Sequence, residues 1–157
     1  MDCRILIANG VNLDLLGKRE PDIYGAFTLP QVEKTIENST KGLAKLVGFD
    51  AIQLSFFQSN QEGEFFAKIS QNWDGILINP GAWSHTSLAL ADRLKAVNIP
   101  YVEVHLSNIS AREPIRHKSL CASSAAGVVY GLGLDSYLTG LYALLLKVYS
   151  SKSGLQP

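Results

Sequence analysis

Two residues near the middle of the sequence have the types and spacing of a general acid or base with its partner. Glu103 and His105 are separated by one residue in the apolar run 101–105, which is typical of a buried strand. Alternate residues of a strand point to the same face, so the carboxylate and the imidazole should lie side by side. A carboxylate in that position orients the ring and favours its protonated form, which suits proton transfer near neutral pH. A solvated pair at an exposed strand end is the alternative that spacing alone leaves open.

Amides, hydroxyls and a second histidine follow the other apolar runs. The residues at these run ends are Asn9, Asn12, Ser59, Asn60, Asn79, Ser84, His85, Ser107 and Asn108. The loops that flank them carry Arg19, Tyr24, Arg112 and Arg116. In open α/β sheets ligands bind outside the carboxyl ends of the strands, so the set predicts a binding site. Taken singly, each Asn or Ser can equally be a helix cap or a turn residue.

No metal or nucleotide motif accompanies this set. Two strand-end histidines and one carboxylate fit no metal-ligand spacing, and neither Cys3 nor Cys121 has a cysteine near it in sequence. Residues 131–133 lack the third glycine of a dinucleotide-binding loop, and the sequence contains no Walker A motif and no Gly-x-Ser-x-Gly nucleophile. The set also lacks a lysine for a Schiff base. We therefore expect chemistry without metal or cofactor, with both cysteines buried and His117 solvated.

The elements that must position these residues alternate in type. Short apolar runs predict strands at 4–8, 51–57, 75–79, 101–105 and 127–131. Apolar residues at helical spacing predict helices at 29–47, 62–73, 84–97 and 136–149. Strands separated by helices indicate a parallel sheet covered on both faces. The fold class predicted is α/β, a flavodoxin-like doubly wound sheet of five parallel strands with helices on both faces.

Length and composition are those of one domain. The chain has 157 residues, 46% of them hydrophobic, and its 14 basic and 14 acidic residues cancel. We assign residues 1–150 to a single catalytic domain and 151–157 to a disordered tail. Neutrality argues against nucleic-acid and anionic-membrane partners, and no apolar run is long enough to span a bilayer. The N-terminus resembles no targeting peptide, and two cysteines form no disulfide framework, so we expect a cytoplasmic protein.

The stretch 9–27 does not fit this alternation. It is much longer than the two to six residues of an ordinary strand-to-helix connection and shows no clear periodicity. Its leucines and aromatic residues make it too apolar for plain disorder. We interpret residues 18–26 as a lid over the site.

Four blocks of the sequence resemble those of type II 3-dehydroquinases, in the same order along almost the whole chain. They are NGVNLDLLGKREPDIYG at 9–25, SNQEG at 59–63, NPGAWSHTS at 79–87, and EVHLSNISARE with RH at 103–117. The departures from the family pattern are Val11 for a usual proline, Asp14 for a common asparagine and Ile115 for a usual aromatic residue. None of them replaces a reacting group.

The resemblance implies a cofactor-free lyase that dehydrates 3-dehydroquinate to 3-dehydroshikimate through an enolate, in the shikimate pathway or in quinate catabolism. It implies a homo-oligomer, a dodecamer built from trimers. It assigns the base to Tyr24 and the acid to His105, with Glu103 orienting that histidine. It places Arg19 on the lid, and it assigns to Asn12 the role of holding a water molecule against the enolate. The implied substrate-binding residues are Asn79, His85, Asp92 from a neighbouring subunit, Leu106, Ser107, Arg112 and Arg116.

The chemistry of the residues agrees with these roles. A neutral phenol is a weak base, so a tyrosine base needs a nearby cation, which Arg19 and Arg112 can supply. The alternative from another class is a non-catalytic flavodoxin-like binding or signalling module. A receiver domain needs an acidic cluster after the first strand, and a flavin binder needs a phosphate loop there. Asn9 and Asn12 stand in that place instead.

Overall fold

One parallel sheet organises the molecule. A computed structural model describes residues 1–18 and 20–154 of the chain. Its strands are β1 (Asp2–Asn9), β2 (Ala51–Gln58), β3 (Gly75–Asn79), β4 (Tyr101–His105) and β5 (Gly127–Tyr130). They lie in the order β2-β1-β3-β4-β5, and every neighbouring pair is parallel. This is the flavodoxin-like strand order, which confirms the predicted fold class.

Helices cover both faces of the sheet. They are α1 (Pro21–Tyr24), α2 (Leu29–Val47), α3 (Glu62–Ile69), α4 (Trp83–Thr86), α5 (Leu88–Val97) and α6 (Asp135–Ser153). Successive side chains of β1 point to opposite faces, so Ile5 and Ile7 join the core under α2 and α6. Leu6 and Ala8 join the core under α3 and α5. No helix in the described part of the chain has both the length and the apolar character needed to cross a membrane.

The sequence signals for α2 are strong, and its predicted bounds are confirmed. Thr28 and Gln31 form a capping box, in which Gln31 N donates to Thr28 Oγ1 and Thr28 N donates to Gln31 Oε1. Gly48 ends the helix in the left-handed region, with φ of 104°. The apolar spacing and Gly48 from which this helix was predicted are local in sequence, which is why pattern alone located it; the capping box adds a further local signal.

The predicted single helix at 84–97 is wrong, because Ser87 breaks it into α4 and α5. The Ser87 backbone is extended, with φ −103° and ψ 97°, and its Oγ accepts a hydrogen bond of 3.0 Å from Leu90 N. Ser87 is therefore the N-cap of α5. The predicted helix at 62–73 also ends early, at Ile69, where the Ser70 N–H bonds back to the Phe66 carbonyl.

The predicted end of the last helix, and with it the disordered tail at 151–157, needs correction at 151–153. The α6 helix continues to Ser153 because Lys152 Nζ lies 2.7 Å from Asp74 Oδ1 and 3.1 Å from the Asp2 carbonyl oxygen. Gly154, with φ of 70°, then ends it. Residues 155–157 lie outside the described residues.

Gly140 allows α6 to approach the sheet beneath the site, which gives a stability prediction. A Cβ at Gly140 would lie 2.5 Å from Val104 Cγ1 and 3.0 Å from Leu77 Cδ1. Gly140→Ala should lower the free energy of unfolding by about 1–3 kcal/mol through overpacking. Gly42→Ala is the matched control, since a Cβ there meets nothing within 4 Å, and it should stabilise α2 by roughly 0.5–1 kcal/mol. Urea unfolding at fixed protein concentration measures both; equal stability of the two variants would contradict this packing.

Candidate active site

A cleft opens where β1, β3 and β4 end. Its volume, counted with the open mouth, is about 580 Å³. Its lining includes most of the residues singled out in the sequence: Asn12, Tyr24, Asn79, His85, His105, Leu106, Ser107, Arg112 and Arg116. Its remaining walls lie within the four sequence blocks but were not predicted as site residues; they are Val11, Leu13, Leu16, Gly81, Ala82 and Ile109. The position matches the expectation for a doubly wound sheet.

Glu103 and His105 form a buried pair at the end of β4. His105 Nε2 lies 2.6 Å from Glu103 Oε1, and the two residues are 6% and 0% exposed. The alternative of a solvated pair is therefore wrong. With Nε2 engaged by the carboxylate, Nδ1 is the ring nitrogen that remains for a ligand in the cleft.

Tyr24 reaches the cleft from the long connection after β1 and is held by Arg112. The Arg112 Nη1 donates to the Tyr24 hydroxyl at 2.9 Å, and the guanidinium carbon lies 5.4 Å from the centre of the phenol ring. Burial by itself lowers the pKa of Arg112. The hydrogen bond to Tyr24 and the electrostatic interactions with Tyr24, Glu113 and Glu20 outweigh burial, so the pKa of Arg112 is raised. A permanent cation thus lies where it would stabilise a phenolate.

The long connection is only partly a loop. Leu13–Leu15 form a short 3₁₀ turn, and Leu13 and Leu16 are buried. Residues 21–24 of the predicted lid form α1. Arg19, the cation expected on that lid, lies outside the described residues, so its role stays a prediction.

Asn12 is held in a left-handed conformation at the start of this connection. Its φ is 66°, and its backbone N–H donates to Asn60 Oδ1 at 2.8 Å. The Asn60 side chain donates in turn to Asp14 Oδ1 at 3.2 Å. Asp14 therefore acts as a hydrogen-bond acceptor that supports the turn carrying Asn12.

Asn79 is fixed by two hydrogen bonds at the end of β3. Its Nδ2 donates to the Tyr137 hydroxyl at 2.8 Å, and its Oδ1 accepts from Gly81 N at 3.1 Å. The Tyr137 hydroxyl donates on to Asn9 Oδ1 at 2.7 Å, and burial raises the pKa of this phenol, which keeps it neutral. These bonds fix which way the Asn79 amide faces the cleft.

The other two histidines hold the loop that carries Arg112. His85 Nδ1 lies 2.9 Å from the Lys118 carbonyl oxygen, and its ring stacks on that of His105 with centroids 6.0 Å apart. His117 is exposed, as expected of a solvated side chain, yet its Nε2 donates to the Arg112 carbonyl at 2.7 Å. It supports the position of Arg112 without lining the cleft.

The remaining predicted residues fall into two groups. Leu106 and Ser107 follow β4 directly, and Arg116, whose Nε lies 3.1 Å from Glu113 Oε2, closes one side of the cleft. Asp92 is exposed on α5 and does not line the cleft of its own chain. Its contact with the substrate bound to a neighbouring subunit stays a prediction.

Neither cysteine is suited to chemistry. Both are fully buried, and burial raises the pKa of each thiol to about 12. Within residues 1–18 and 20–154 there is no group of three or more His, Cys, Asp or Glu side chains placed to hold a metal ion. The expectation of a metal-free reaction stays a prediction, tested below.

Known proteins with similar sequences and structures belong to one enzyme family. The model of the dehydroquinase class II family matches residues 3–145. A 3-dehydroquinate dehydratase of Caldicellulosiruptor bescii is 48% identical over 145 residues, which cover 90% of this chain and 95% of that protein. A catabolic 3-dehydroquinase of Aspergillus clavatus is 50% identical over 136 residues, 85% of this chain and 86% of that protein. The crystal structure of the type II dehydroquinase from Butyrivibrio crossotus matches with a TM-score of 0.83 at 37% identity, covering 91% of this chain and 97% of that one.

The chain belongs to the class II dehydroquinase family, and it is an enzyme with that family's flavodoxin-like fold. The resemblance seen in the four sequence blocks is thereby confirmed.

Proposed function

We propose that the protein dehydrates 3-dehydroquinate to 3-dehydroshikimate, with Tyr24 as the base and His105 as the acid. One observation carries the proposal: a phenol and an imidazole line the same cleft, and each is held by a charged side chain. Arg112 bonds to the phenol, and Glu103 bonds to the imidazole. The substrate is proposed from the relatives, a 3-dehydroquinate dehydratase and a catabolic 3-dehydroquinase.

The two groups can carry the two halves of an elimination. Tyr24, as phenolate beside Arg112, removes a proton from the carbon next to the ketone, and the electron pair forms an enolate. The enolate then collapses, the carbon–oxygen bond of the β-hydroxyl breaks, and His105 gives that oxygen a proton so that it leaves as water. Asn12 would hold a water against the enolate oxygen, which stabilises the charge while it exists. Tyr24 and His105 then exchange protons with solvent for the next turnover.

The remaining residues of the cleft would hold the substrate. Asn79, His85 and Arg116 offer an amide, an imidazole and a guanidinium, and the backbone at 106–107 lies beside them. These are the groups that bind hydroxyls and a carboxylate. Arg19 would close over the reacting centre from the lid at 18–26. We propose that the reaction serves aromatic biosynthesis or quinate breakdown and takes place in the cytoplasm; a relative named as a catabolic enzyme supports the second of these two roles.

The proposed mechanism uses no metal and no imine. After exhaustive EDTA treatment the purified protein should dehydrate 3-dehydroquinate at an unchanged rate without added nucleotide. Sodium borohydride added with substrate should leave no covalent adduct on any lysine, as read by mass spectrometry, because no imine forms. Activity that EDTA abolishes and only a divalent cation restores would overturn this mechanism.

We also propose that the active form is a homo-oligomer, a dodecamer built from trimers, in which Asp92 completes the site of a neighbour. Asp92→Ala should raise KM for 3-dehydroquinate several-fold while the circular dichroism spectrum stays that of the parent protein. Glu37→Ala, on the exposed face of α2, is the control for loss of a surface carboxylate. Light scattering should give a mass near twelve subunits, and a fully active monomer would contradict the shared site.

A further inference from the structure

The carboxylate of Glu103 is buried completely, and each of its oxygens has a partner. Oε1 meets His105 Nε2 at 2.6 Å, and Oε2 accepts a hydrogen bond of 2.8 Å from Ser119 Oγ. A buried carboxylate oxygen without a donor carries a large desolvation penalty. Ser119 supplies that donor from outside the cleft, since it is not among the cleft's lining residues.

The hydroxyl of Ser119 has little freedom of direction. Its oxygen accepts from the backbone N–H groups of Cys121 at 3.1 Å and Ala122 at 3.2 Å. Both of these donors use the lone pairs of the oxygen, so the hydroxyl proton is left to point at Glu103. The hydroxyl is thus oriented by backbone before it meets the carboxylate.

Two further ionisable side chains near Glu103, those of Cys121 and Tyr101, stay protonated, so neither adds a negative charge beside the carboxylate. Burial, helped by the negative charge of Glu103, raises the pKa of the Cys121 thiol to about 12. Burial likewise raises the pKa of Tyr101 to about 12. The Tyr101 hydroxyl bonds instead to the Cys121 carbonyl and to Ser124.

We propose that Ser119 is a positioning residue for the reaction: it fixes the Glu103 carboxylate so that Oε1 meets Nε2 of His105 and Nδ1 is presented to the leaving hydroxyl. The proposal rests on the acid role proposed for His105. It extends that pair to a chain of three side chains, in which the backbone at 121–122 orients Ser119, Ser119 orients Glu103, and Glu103 orients the ring.

Removal of the hydroxyl tests the proposal kinetically. Ser119→Ala should lower kcat by roughly ten- to a hundredfold, the loss expected for a hydrogen bond to a charged group, while KM changes less than threefold. Ser119→Thr keeps the hydroxyl and should restore most of kcat. Ser123→Ala is the matched control, because Ser123 is an exposed serine of the same loop whose hydroxyl, among the described residues, bonds only the Leu120 carbonyl, at 3.5 Å. If Ser119→Ala does not fold, Ser119→Cys, whose thiol is a weak donor, takes its place with the same expected direction.

A double-mutant cycle separates action through Glu103 from a merely structural role. In a Glu103→Gln background, Ser119→Ala should lower kcat less than threefold further, because the group through which Ser119 acts has already been changed. Equal losses in both backgrounds would show that Ser119 acts on the loop alone and would overturn the proposal. So would an unchanged kcat in the Ser119→Ala single variant.

A spectroscopic measurement keeps this inference distinct from the proposed reaction. The proton shared by His105 and Glu103 should give a downfield imidazole N–H resonance in the ¹H NMR spectrum of the ligand-free protein. That resonance should shift or vanish in Ser119→Ala and persist in Ser123→Ala. If the parent protein fails to turn over 3-dehydroquinate, the proposed function fails, whereas an unaltered resonance in Ser119→Ala overturns only the role of Ser119.

Discussion

Tyr24→Phe should lower kcat for 3-dehydroquinate by on the order of a thousandfold or more, with KM changed only a few-fold. The substitution deletes one oxygen, the proposed base, and leaves the ring that packs at the cleft and under Arg112. A group that acts mainly in the transition state affects kcat far more than substrate binding. Steady-state kinetics on the purified variant, followed through the enone product, measure both constants.

Two further variants test whether the loss of kcat in Tyr24→Phe comes from loss of the proposed base. Tyr142→Phe removes a phenol hydroxyl from the exposed side of α6, outside the cleft, and should leave kcat unchanged. Arg112→Ala should lower kcat in the same direction as Tyr24→Phe, since the phenolate loses the cation 2.9 Å away. If Tyr24→Phe keeps a near-normal kcat, the tyrosine only binds substrate, and His105 becomes the next candidate for the base.

His105→Gln should lower kcat by about a hundred- to ten-thousandfold, because the leaving hydroxyl loses its proton donor. Glu103→Gln should lower kcat less than His105→Gln does, since it keeps the imidazole ring and only weakens the hydrogen bond that orients the ring. His85→Gln should chiefly raise KM, because His85 is proposed to bind substrate rather than to transfer a proton. Rates measured with all three variants at one pH rank these roles; a kcat for His105→Gln within threefold of the parent would remove His105 from the mechanism.

Features encoded over a few residues could be predicted from the sequence. The side-by-side placement of Glu103 and His105 followed from strand alternation, and the bounds of α2 followed from its apolar spacing and from Gly48. The gathering of polar residues in one cleft followed from the rule that parallel strands present their carboxyl ends at one edge.

Features that depend on contacts between residues distant in sequence could not be predicted from local patterns. Tyr24 and Arg112 are 88 residues apart, and no periodicity indicates that their side chains meet. Their proximity was expected only from the family resemblance and from the need of a tyrosine base for a cation. Ser119 is one of many serines in the sequence. Its proposed role depends on the Glu103 carboxylate, 16 residues away, which becomes buried only when the chain folds. The continuation of α6 to Ser153 likewise depends on Lys152 meeting Asp74, which belongs to a loop before β3.

The break at Ser87 is an intermediate case. A serine before an apolar helical run is an N-cap signal, and Ser87 stands in that position before Leu88–Val97. The prediction rested on the apolar spacing over 84–97 and did not use that signal. The short α4 turn that precedes Ser87 carries His85 to the cleft.

The most direct test of the central claim, that this cleft dehydrates 3-dehydroquinate, is the absorbance of the purified protein with that compound. Dehydration converts a ketone into a conjugated enone, which absorbs strongly in the ultraviolet where the substrate does not. We expect absorbance to rise at a rate proportional to the concentration of the parent protein and to stay flat with Tyr24→Phe at the same concentration. No rise with the folded parent protein, or equal rises with both proteins, would contradict the account.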